Sequence, residues 1–317
     1  THSNLVIEDN EIIANGDCGL LAEYASVLNG MRMIGNIFSG KTFQGDTPAG
    51  SGTSEQYKLP NVPRILVYVS GPDNGSNKSD VVFEGNQVTG TAGGLNENGL
   101  PQGNTLVTLD AVGVVIRNNS FYGNTARLGA ASLRARGINT VIEDNEFYDS
   151  ELLTTHVVLG AGTVNGGVDA VLRDNTFENS VVIEGYNAIF SKIQAAVDSS
   201  TAGDNIIKVH PGDYGTGVVG ILQKEGVNII IEAAGDVTLE NRFIIDGAAR
   251  AFDSEYVTIK GFVFNFSEAD SDVNVISTGK LDDRTSSLIY AHNVTIEDCM
   301  FIGNSAVNVV AVAAGTP

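Results

Sequence analysis

Val141-Ile142-Glu143-Asp144-Asn145-Glu146-Phe147 is the stretch that decides the fold, because variants of it recur along the whole chain. Each copy runs apolar, polar, turn residue, Asn, polar, apolar. This order predicts a short strand, a sharp corner and a second strand, since side chains alternate between the two faces of a strand. Five copies keep the Asn and two lack it; they are residues 6–12, 32–38, 82–88, 115–121 and 171–177, and 258–264 and 295–301.

The spacing of the copies predicts a solenoid. Successive apolar anchors are separated by 26, 50, 33, 26 and 30 residues, and they are Ile7, Met33, Phe83, Ile116, Ile142 and Leu172. In repeats of this size no unit buries its apolar face alone, and each uses its neighbours. The interval of 50 corresponds either to two coils or to one coil with a large insertion.

The I-x-x-N-x-F corner resembles the repeat of right-handed parallel β-helices of the pectin-lyase-like superfamily. The resemblance implies an all-β solenoid in which an Asn at each corner stacks on the Asn of the next coil. It assigns that structural ladder to Asn10, Asn36, Asn86, Asn119, Asn145 and Asn175. The fold itself does not imply an activity, because function depends on sites carried by a fold.

A short amphipathic capping helix is predicted near residues 188–200, where Ile189, Ile193 and Val197 follow helical spacing. The A-G-D-x-I-x-x-V-x-P-G-x-Y pattern that follows is similar to the start of many pectin-lyase-like β-helices. We therefore expect residues 1–185 to form β-helix coils without an N-terminal cap. We expect residues 186–317 to form the capping helix and the first coils of a β-helix.

This order is inverted, with uncapped coils first and a capped beginning second. If residue 317 were followed by residue 1 of a neighbouring copy, the interval from Ile296 to Ile7 would fall within the normal range of steps. Permutation within a single stack is disfavoured, because about ten residues after Phe177 reach at most ~35 Å and the stack would measure about 50 Å. The chain is then one period of a tandem array or one subunit of a head-to-tail filament, with another copy as its partner.

Composition limits the other partners. The formal charge of −20, from 38 acidic and 18 basic residues, argues against nucleic acid and anionic membranes. Membrane insertion is not expected, because no apolar run approaches the ~20 residues of a membrane span. Thr1 is not preceded by Met or a signal peptide, which indicates a mature or excised segment, and we expect an extracellular, cell-surface location.

Calcium is the cofactor that the acidic residues suggest, because Ca²⁺ takes about six to eight oxygen ligands. The proposed ligands are Asp270, Asp272, Asp282 and Asp283, in a predicted loop at 267–287. Two other loops are predicted at 39–61 and 89–104. Cys18 and Cys299 pair only if the two ends of the sequence stack, and Cys299 otherwise acts as a small buried filler at an Asn position.

The sequence favours a structural or adhesive β-helix module that assembles head to tail, with a glycan as a second candidate partner of its loops. The alternative is a polysaccharide lyase or hydrolase acting on an acidic glycan. Basic candidates for a lyase are sparse, and they are Arg134, Arg136, Lys280, Arg284 and His156. Glu8, Glu143 and Glu297 recur at one corner position and are expected to stack as an acidic stripe, which is typical of a surface and not of a catalytic pair.

Overall fold

The chain forms an all-β parallel β-helix with one short helix, as the sequence predicts. The computed structural model describes residues 4–14, 18–22, 30–40, 65–70, 80–92, 106–126, 131–135, 139–148, 155–159, 170–247, 255–268, 273–278, 280–281, 288–289, 291–304 and 307–312. The chain divides into two compact units. Unit 1 comprises residues 1–178 and 187–189, and unit 2 comprises residues 179–186 and 190–317.

The described strands of unit 1 form six coils, and each of the first five coils contributes one strand to each of three sheets, in which these strands run parallel. The strands of coils 1 to 3 are β1 Val6–Glu8, β2 Glu11–Ala14 and β3 Cys18–Ala22; β4 Arg32–Ile34, β5 Ile37–Gly40 and β6 Ile65–Ser70; β7 Val82–Glu84, β8 Gln87–Ala92 and β9 Val107–Asp110. Those of coils 4 to 6 are β10 Val115–Arg117, β11 Ser120–Ala126 and β12 Ala131–Ala135; β13 Val141–Glu143, β14 Glu146–Tyr148 and β15 Thr155–Leu159; β16 Val171–Arg173 and β17 Thr176–Phe177.

The register places the predicted anchors directly beside one another. Ile7 pairs with Met33, and Met33 pairs with Phe83. The longest interval between anchors is therefore one coil with a long insertion, because no strand of the same sheet lies between β4 and β7. The anchors of coils 2 to 5 are fully buried, and their apolar faces are covered by the coils on either side.

Each corner of the repeat depends on one residue with a left-handed backbone. The residue before the ladder position has φ between 53° and 79° in all eight copies, and these residues are Asp9, Gly35, Gly85, Asn118, Asp144, Asp174, Gly261 and Asp298. Only Gly, Asn and Asp occur there, because other L-residues adopt this conformation at a cost of about 1–2 kcal/mol. The sequence pattern thus reports backbone geometry directly.

The six asparagines of the predicted ladder stack in one row. The amide and backbone N–H of Asn86 both donate to Asn119 Oδ1, at 3.0 and 2.8 Å. Asn119 repeats the pair of bonds to Asn145 Oδ1, at 2.8 and 3.0 Å. The remaining hydrogen of Asn119 Nδ2 is donated to Phe83 O of the preceding coil at 2.9 Å, so the buried amide is bonded to both neighbouring coils.

The first strand of unit 2 is β18 Val181–Ile183, and Phe190, the last residue of the strand β19 Ala188–Phe190, pairs with Val181. The helix α1 spans Ile193–Ser199, and the strands that follow are β20 Gly203–Val209, β21 Thr216–Leu222, β22 Val227–Ala233, β23 Thr238–Asp246, β24 Val257–Lys260, β25 Val263–Phe266, β26 Val273–Thr278, β27 Lys280–Leu281, β28 Leu288–Ile289, β29 Val294–Glu297, β30 Met300–Gly303 and β31 Val307–Val312. Strand β26 lies inside the segment predicted as a loop at 267–287, so that prediction is wrong there. β26 pairs with β23 and β31 in a parallel sheet.

The later coils of unit 2 contain more strands than the earlier ones, because β23 pairs with two different strands along its length. Its first residues, Thr238 and Leu239, pair with β25, and Phe243 to Ile245 pair with β26. The coils of β20–β21 and β22–β23 therefore carry two long strands, and the coils of β24–β26 and β29–β31 carry three. The coil formed by β29, β30 and β31 is called the closing coil below, and the coil formed by β1, β2 and β3 is called the opening coil.

The helix lies within the predicted stretch but is shorter than the spacing indicates. Residues 188–190 are extended, Phe190 pairs with Val181 of β18, and Lys192 is still extended at φ −132°. The helix buries Ile193, Ala196 and Val197 against β18, β20 and β21. Antiparallel pairing of Phe190 thus outweighs the local helical pattern that includes Ile189.

Replacing one interior ladder residue tests the importance of the row. Asn119→Ala leaves the N–H and amide of Asn86 without an acceptor and Phe83 O without a donor. We expect urea unfolding to show a loss of about 3 kcal/mol, because each unsatisfied buried group costs about 1–3 kcal/mol. Asn10→Ala, at the exposed end of the same row, is the matched control and should cost less than about 1 kcal/mol; equal losses would contradict the ladder.

Candidate functional site

The opening and closing coils each have one edge for which the described strands provide no partner. β1, β2 and β3 have a described partner strand on one side only, and so do β29, β30 and β31. Apolar side chains are exposed at both places: Val6 and Ile13 by 50% and 55%, and Met300 and Ile302 by 58% and 42%. Unpaired strand edges with exposed apolar residues are templates for further strand pairing. These two edges are the candidate functional site.

The two edges have the same layout in sequence and structure. The turn residue is Asp9 in the opening coil and Asp298 in the closing coil, with φ of 54° and 53°. The number of residues from Asp9 to the start of β2 equals the number from Asp298 to the start of β30. The numbers of residues to the starts of β3 and β31 are equal in the same way. The turn and the two strand starts therefore have the same order and the same spacing along the chain in both coils.

The backbone N–H groups at the two edges also point in complementary directions. In unit 1 the first residue of each corner strand donates its N–H to the preceding coil, as Arg32 does to Leu5 O at 2.8 Å. By this rule the N–H of Val6 points outward from the opening coil. Turn residues donate to the following coil, as Gly261 does to Glu297 O at 3.1 Å, so the N–H of Asp298 points outward from the closing coil.

Cys299 occupies the ladder position of the closing coil and makes contacts of the same kind as an Asn. Its Sγ lies 3.3 Å from Glu297 O and 3.8 Å from Ile259 O. Asn145 Nδ2 donates to the equivalent carbonyls of Glu143 and Ile116, at 2.9 and 3.0 Å.

The environment of Cys299 favours the protonated form of its thiol. The residue is half-buried, not fully buried as predicted, and burial is the main cause of the raised pKa of its thiol. It carries no disulfide, and the side chain of Cys18 lies outside the described residues.

At the other end of the row, Asn10 Oδ1 has no donor among the described residues. In every later coil of unit 1 this oxygen accepts from the preceding coil, as Asn36 Oδ1 accepts the N–H of Asn10 at 3.0 Å. The opening coil therefore offers an acceptor at the corner position where the closing coil carries an N–H of Cys299.

Charges alternate along the column of residues that precede the turn. In unit 1 the column runs Glu84, Arg117, Glu143, Arg173, with Arg117 bonded to Glu84 at 2.9 Å and Arg173 paired with Glu143. The glutamates hold the pKa of both arginines above the ordinary value, chiefly through these hydrogen bonds.

Unit 2 has a second alternating column, Lys208, Glu232, Lys260, Glu297, and Lys260 lies 3.1 Å from Glu297. The expected acidic stripe of Glu8, Glu143 and Glu297 is wrong. Glu143 is flanked by two arginines, and Glu297 stacks on a lysine. Copies of the corner motif that carry Glu before the turn are not neighbours in the stack, because copies that carry Arg or Lys at this position lie between them.

The other predicted site residues are not brought together by the described structure. Asp270, Asp272, Asp282 and Asp283 all lie outside the described residues, as do Arg136, Arg284 and the side chain of Lys280. The calcium site stays a prediction. Among the residues that are described, no group of three His, Cys, Asp or Glu is arranged to hold a metal ion.

His156 is a core residue. It is fully buried, and its ring lies 5.8 Å from that of Phe147 and 5.5 Å from that of Phe177. This position removes it from the candidates for a solvent-accessible base. Arg134 is partly exposed at the outward-facing position of β12.

Sequence reasoning named neither Val6 nor Asp298 as functional residues. The signal was present, since residues 294–302 and 5–13 align without a gap, but its meaning depends on which backbone groups remain unpaired. That information comes only from the strand register.

Searches with the sequence against family models, curated proteins and solved structures found no match. The stacked parallel sheets are compatible with the superfamily resemblance, and membership stays a proposal. In the described part of the chain, no helix has the length and apolar character needed to cross a bilayer.

The charge column makes a testable prediction. Arg117→Glu places three glutamates in a row at 84, 117 and 143, and we expect a lower thermal midpoint at low salt, because like charges directly opposite are destabilising. The deficit should shrink at about 1 M NaCl, where the Debye length is about 3 Å. Arg117→Gln removes the cation without adding an anion and should give a smaller, intermediate deficit; equal deficits for both variants would contradict the role of alternation.

Proposed function

We propose that the chain is an extracellular structural β-helix module that assembles head to tail with other copies of itself. The closing coil of one copy pairs with the opening coil of the next. The observation that supports this is the equal spacing of turn and strand onsets in the two coils, which gives one edge the layout of the other. A heterologous contact of this kind does not close on itself and builds fibres or arrays.

The proposed junction continues the hydrogen-bonding pattern of unit 1. Transferring the bond from Arg32 N–H to Leu5 O by one step places Val6 N–H at Val294 O. The bond from Asp9 N–H to Ile34 O, at 3.0 Å, places Asp298 N–H at Glu8 O. The bond from Asn10 N–H to Asn36 Oδ1 places Cys299 N–H at Asn10 Oδ1.

Burial of apolar anchors provides the driving force. Ile7, Ile12, Ile296 and Phe301 are only partly buried, whereas Met33 and Phe38, which pair with Ile7 and Ile12, are almost inaccessible. Each apolar Å² removed from water is worth about 25 cal/mol. A junction that gives the edge anchors the environment of the interior anchors is therefore favourable.

The extracellular, cell-surface location and the contacts of the predicted loops with a glycan belong to the same proposal. They rest on the superfamily resemblance and on the acidic composition. A module of this class provides a rigid spacer whose length is set by the number of stacked copies.

A proline at the edge tests the junction. Val6→Pro removes the one N–H that the opening coil directs outward from the start of β1, where the described strands offer it no acceptor. Pro is tolerated in edge strands when its missing N–H would face solvent. We expect sedimentation velocity to show concentration-dependent assembly of the wild-type chain and its loss in Val6→Pro, with thermal unfolding changed little.

Val6→Thr is the matched control, because it keeps the N–H and introduces the residue that unit 2 carries at the same corner position, Thr258 and Thr295. This variant should assemble like the wild type, and electron microscopy should show fibres for both. A wild-type chain that stays monomeric at every concentration, or a Val6→Pro variant that assembles equally well, would overturn the proposal.

A further inference from the structure

The alternation of charge in both units defines a rule for neighbouring coils. Opposite charges meet at every described step of the two columns where both residues are charged: Glu84 with Arg117, Arg117 with Glu143, Glu143 with Arg173, Lys208 with Glu232, Glu232 with Lys260, and Lys260 with Glu297. Four of the steps form ion pairs. Coil stacking in this protein is thus accompanied by charge complementarity at a fixed position.

The head-to-tail junction breaks this rule. Glu297 and Glu8 each stand directly before the turn residue of their coil, so they would stack on one another. Asp298 would stack on Asp9, as Asp144 stacks on Asp174 in unit 1, so the departure from the rule lies at Glu297 and Glu8; all four carboxylates of the junction are exposed. No described cation in the opening coil compensates, since Glu8 pairs with Ile34 on its other side.

The groups around these carboxylates are few. Lys260 pairs with Glu297 at 3.1 Å and offsets part of its charge. On the opening coil, the next outward-facing charge after Asp9 is Glu11, which would lie beside Met300. The junction therefore brings together an excess of negative charge at one corner, in copies that each carry a formal charge of −20.

We infer that like charge at this corner controls assembly, so that head-to-tail association is weak at low ionic strength and is switched on by screening. This inference rests on the proposed function. The repulsion between carboxylates on the surface falls as the Debye length shortens from about 30 Å at 0.01 M salt to about 8 Å at physiological salt. The apolar and backbone contacts of the junction are affected far less by salt, so they prevail once the charges are screened.

A charge reversal at Glu8 provides the direct test. Glu8→Lys restores the alternation, because the new lysine would stack on Glu297. We expect its dissociation constant at low salt to be about tenfold lower than that of the wild type, because an attractive charge pair replaces a repulsive one. Sedimentation velocity over a NaCl series should show wild-type association strengthening with salt and Glu8→Lys association weakening.

Glu146→Lys is the matched control, since Glu146 is also exposed on the outer surface of unit 1 but lies in coil 5. It changes the net charge by the same amount, and its association should strengthen with salt as that of the wild type does. If Glu146→Lys reproduces the effect of Glu8→Lys, net charge controls assembly and the inference is wrong.

The remaining outcomes separate the inference from the proposed function. Association of the wild type and Glu8→Lys with equal affinity at every salt concentration would overturn the charge control and leave head-to-tail assembly intact. Absence of association for both chains at low and high salt would overturn the proposed function, and with it the inference. Assembly of Glu8→Lys alone at low salt supports both.

Discussion

The satisfaction of polar groups at a buried corner is the constraint on which unit 1 depends. A chain that turns sharply inside a stack must pair its backbone N–H groups without water, and one coil has no partner for them. An Asn that accepts two hydrogen bonds from the preceding coil and donates to a carbonyl of that coil solves this once per coil, as Asn119 does. The solution works only in a row, so the bonding that stabilises interior coils leaves the end coils incomplete.

The buried Asn row and the surface column of charged residues differ in whether identical residues can stack on one another. An amide carries both donors and acceptors, so identical Asn residues can stack with equally good bonds whether the chain between them is short or carries a long insertion. A charged residue cannot stack on its own kind at the same cost, and the surface column accordingly alternates Glu with Arg or Lys. The uniform Asn row therefore stabilises the stacking of any two such coils, whereas the alternating charges favour some neighbours over others.

The fold can be predicted from the sequence because the corner imposes residue identities, namely a turn residue restricted to Gly, Asn or Asp and then the ladder residue. Strand β26 has no such corner and lies between polar segments, so its local pattern indicates a loop, although pairing with β23 fixes it as a strand. The spacing of Ile189 places the start of the helix too early, and only the pairing of Phe190 with Val181 shows otherwise. Charge alternation escapes a comparison of motifs because it exists between neighbouring copies and not within any one of them.

The ladder position of unit 2 changes between its last two coils from an apolar ring to a side chain that contacts backbone carbonyls. In the coil of β24, Gly261 is followed by Phe262, whose buried ring fills the corner and which has no side-chain amide. The closing coil replaces this with Asp298 and Cys299, and the thiol contacts the same carbonyl positions as an Asn amide. In the proposed head-to-tail junction, the backbone N–H of Cys299 donates to Asn10 Oδ1, so the Asn ladder of one copy begins where the closing coil of the preceding copy ends.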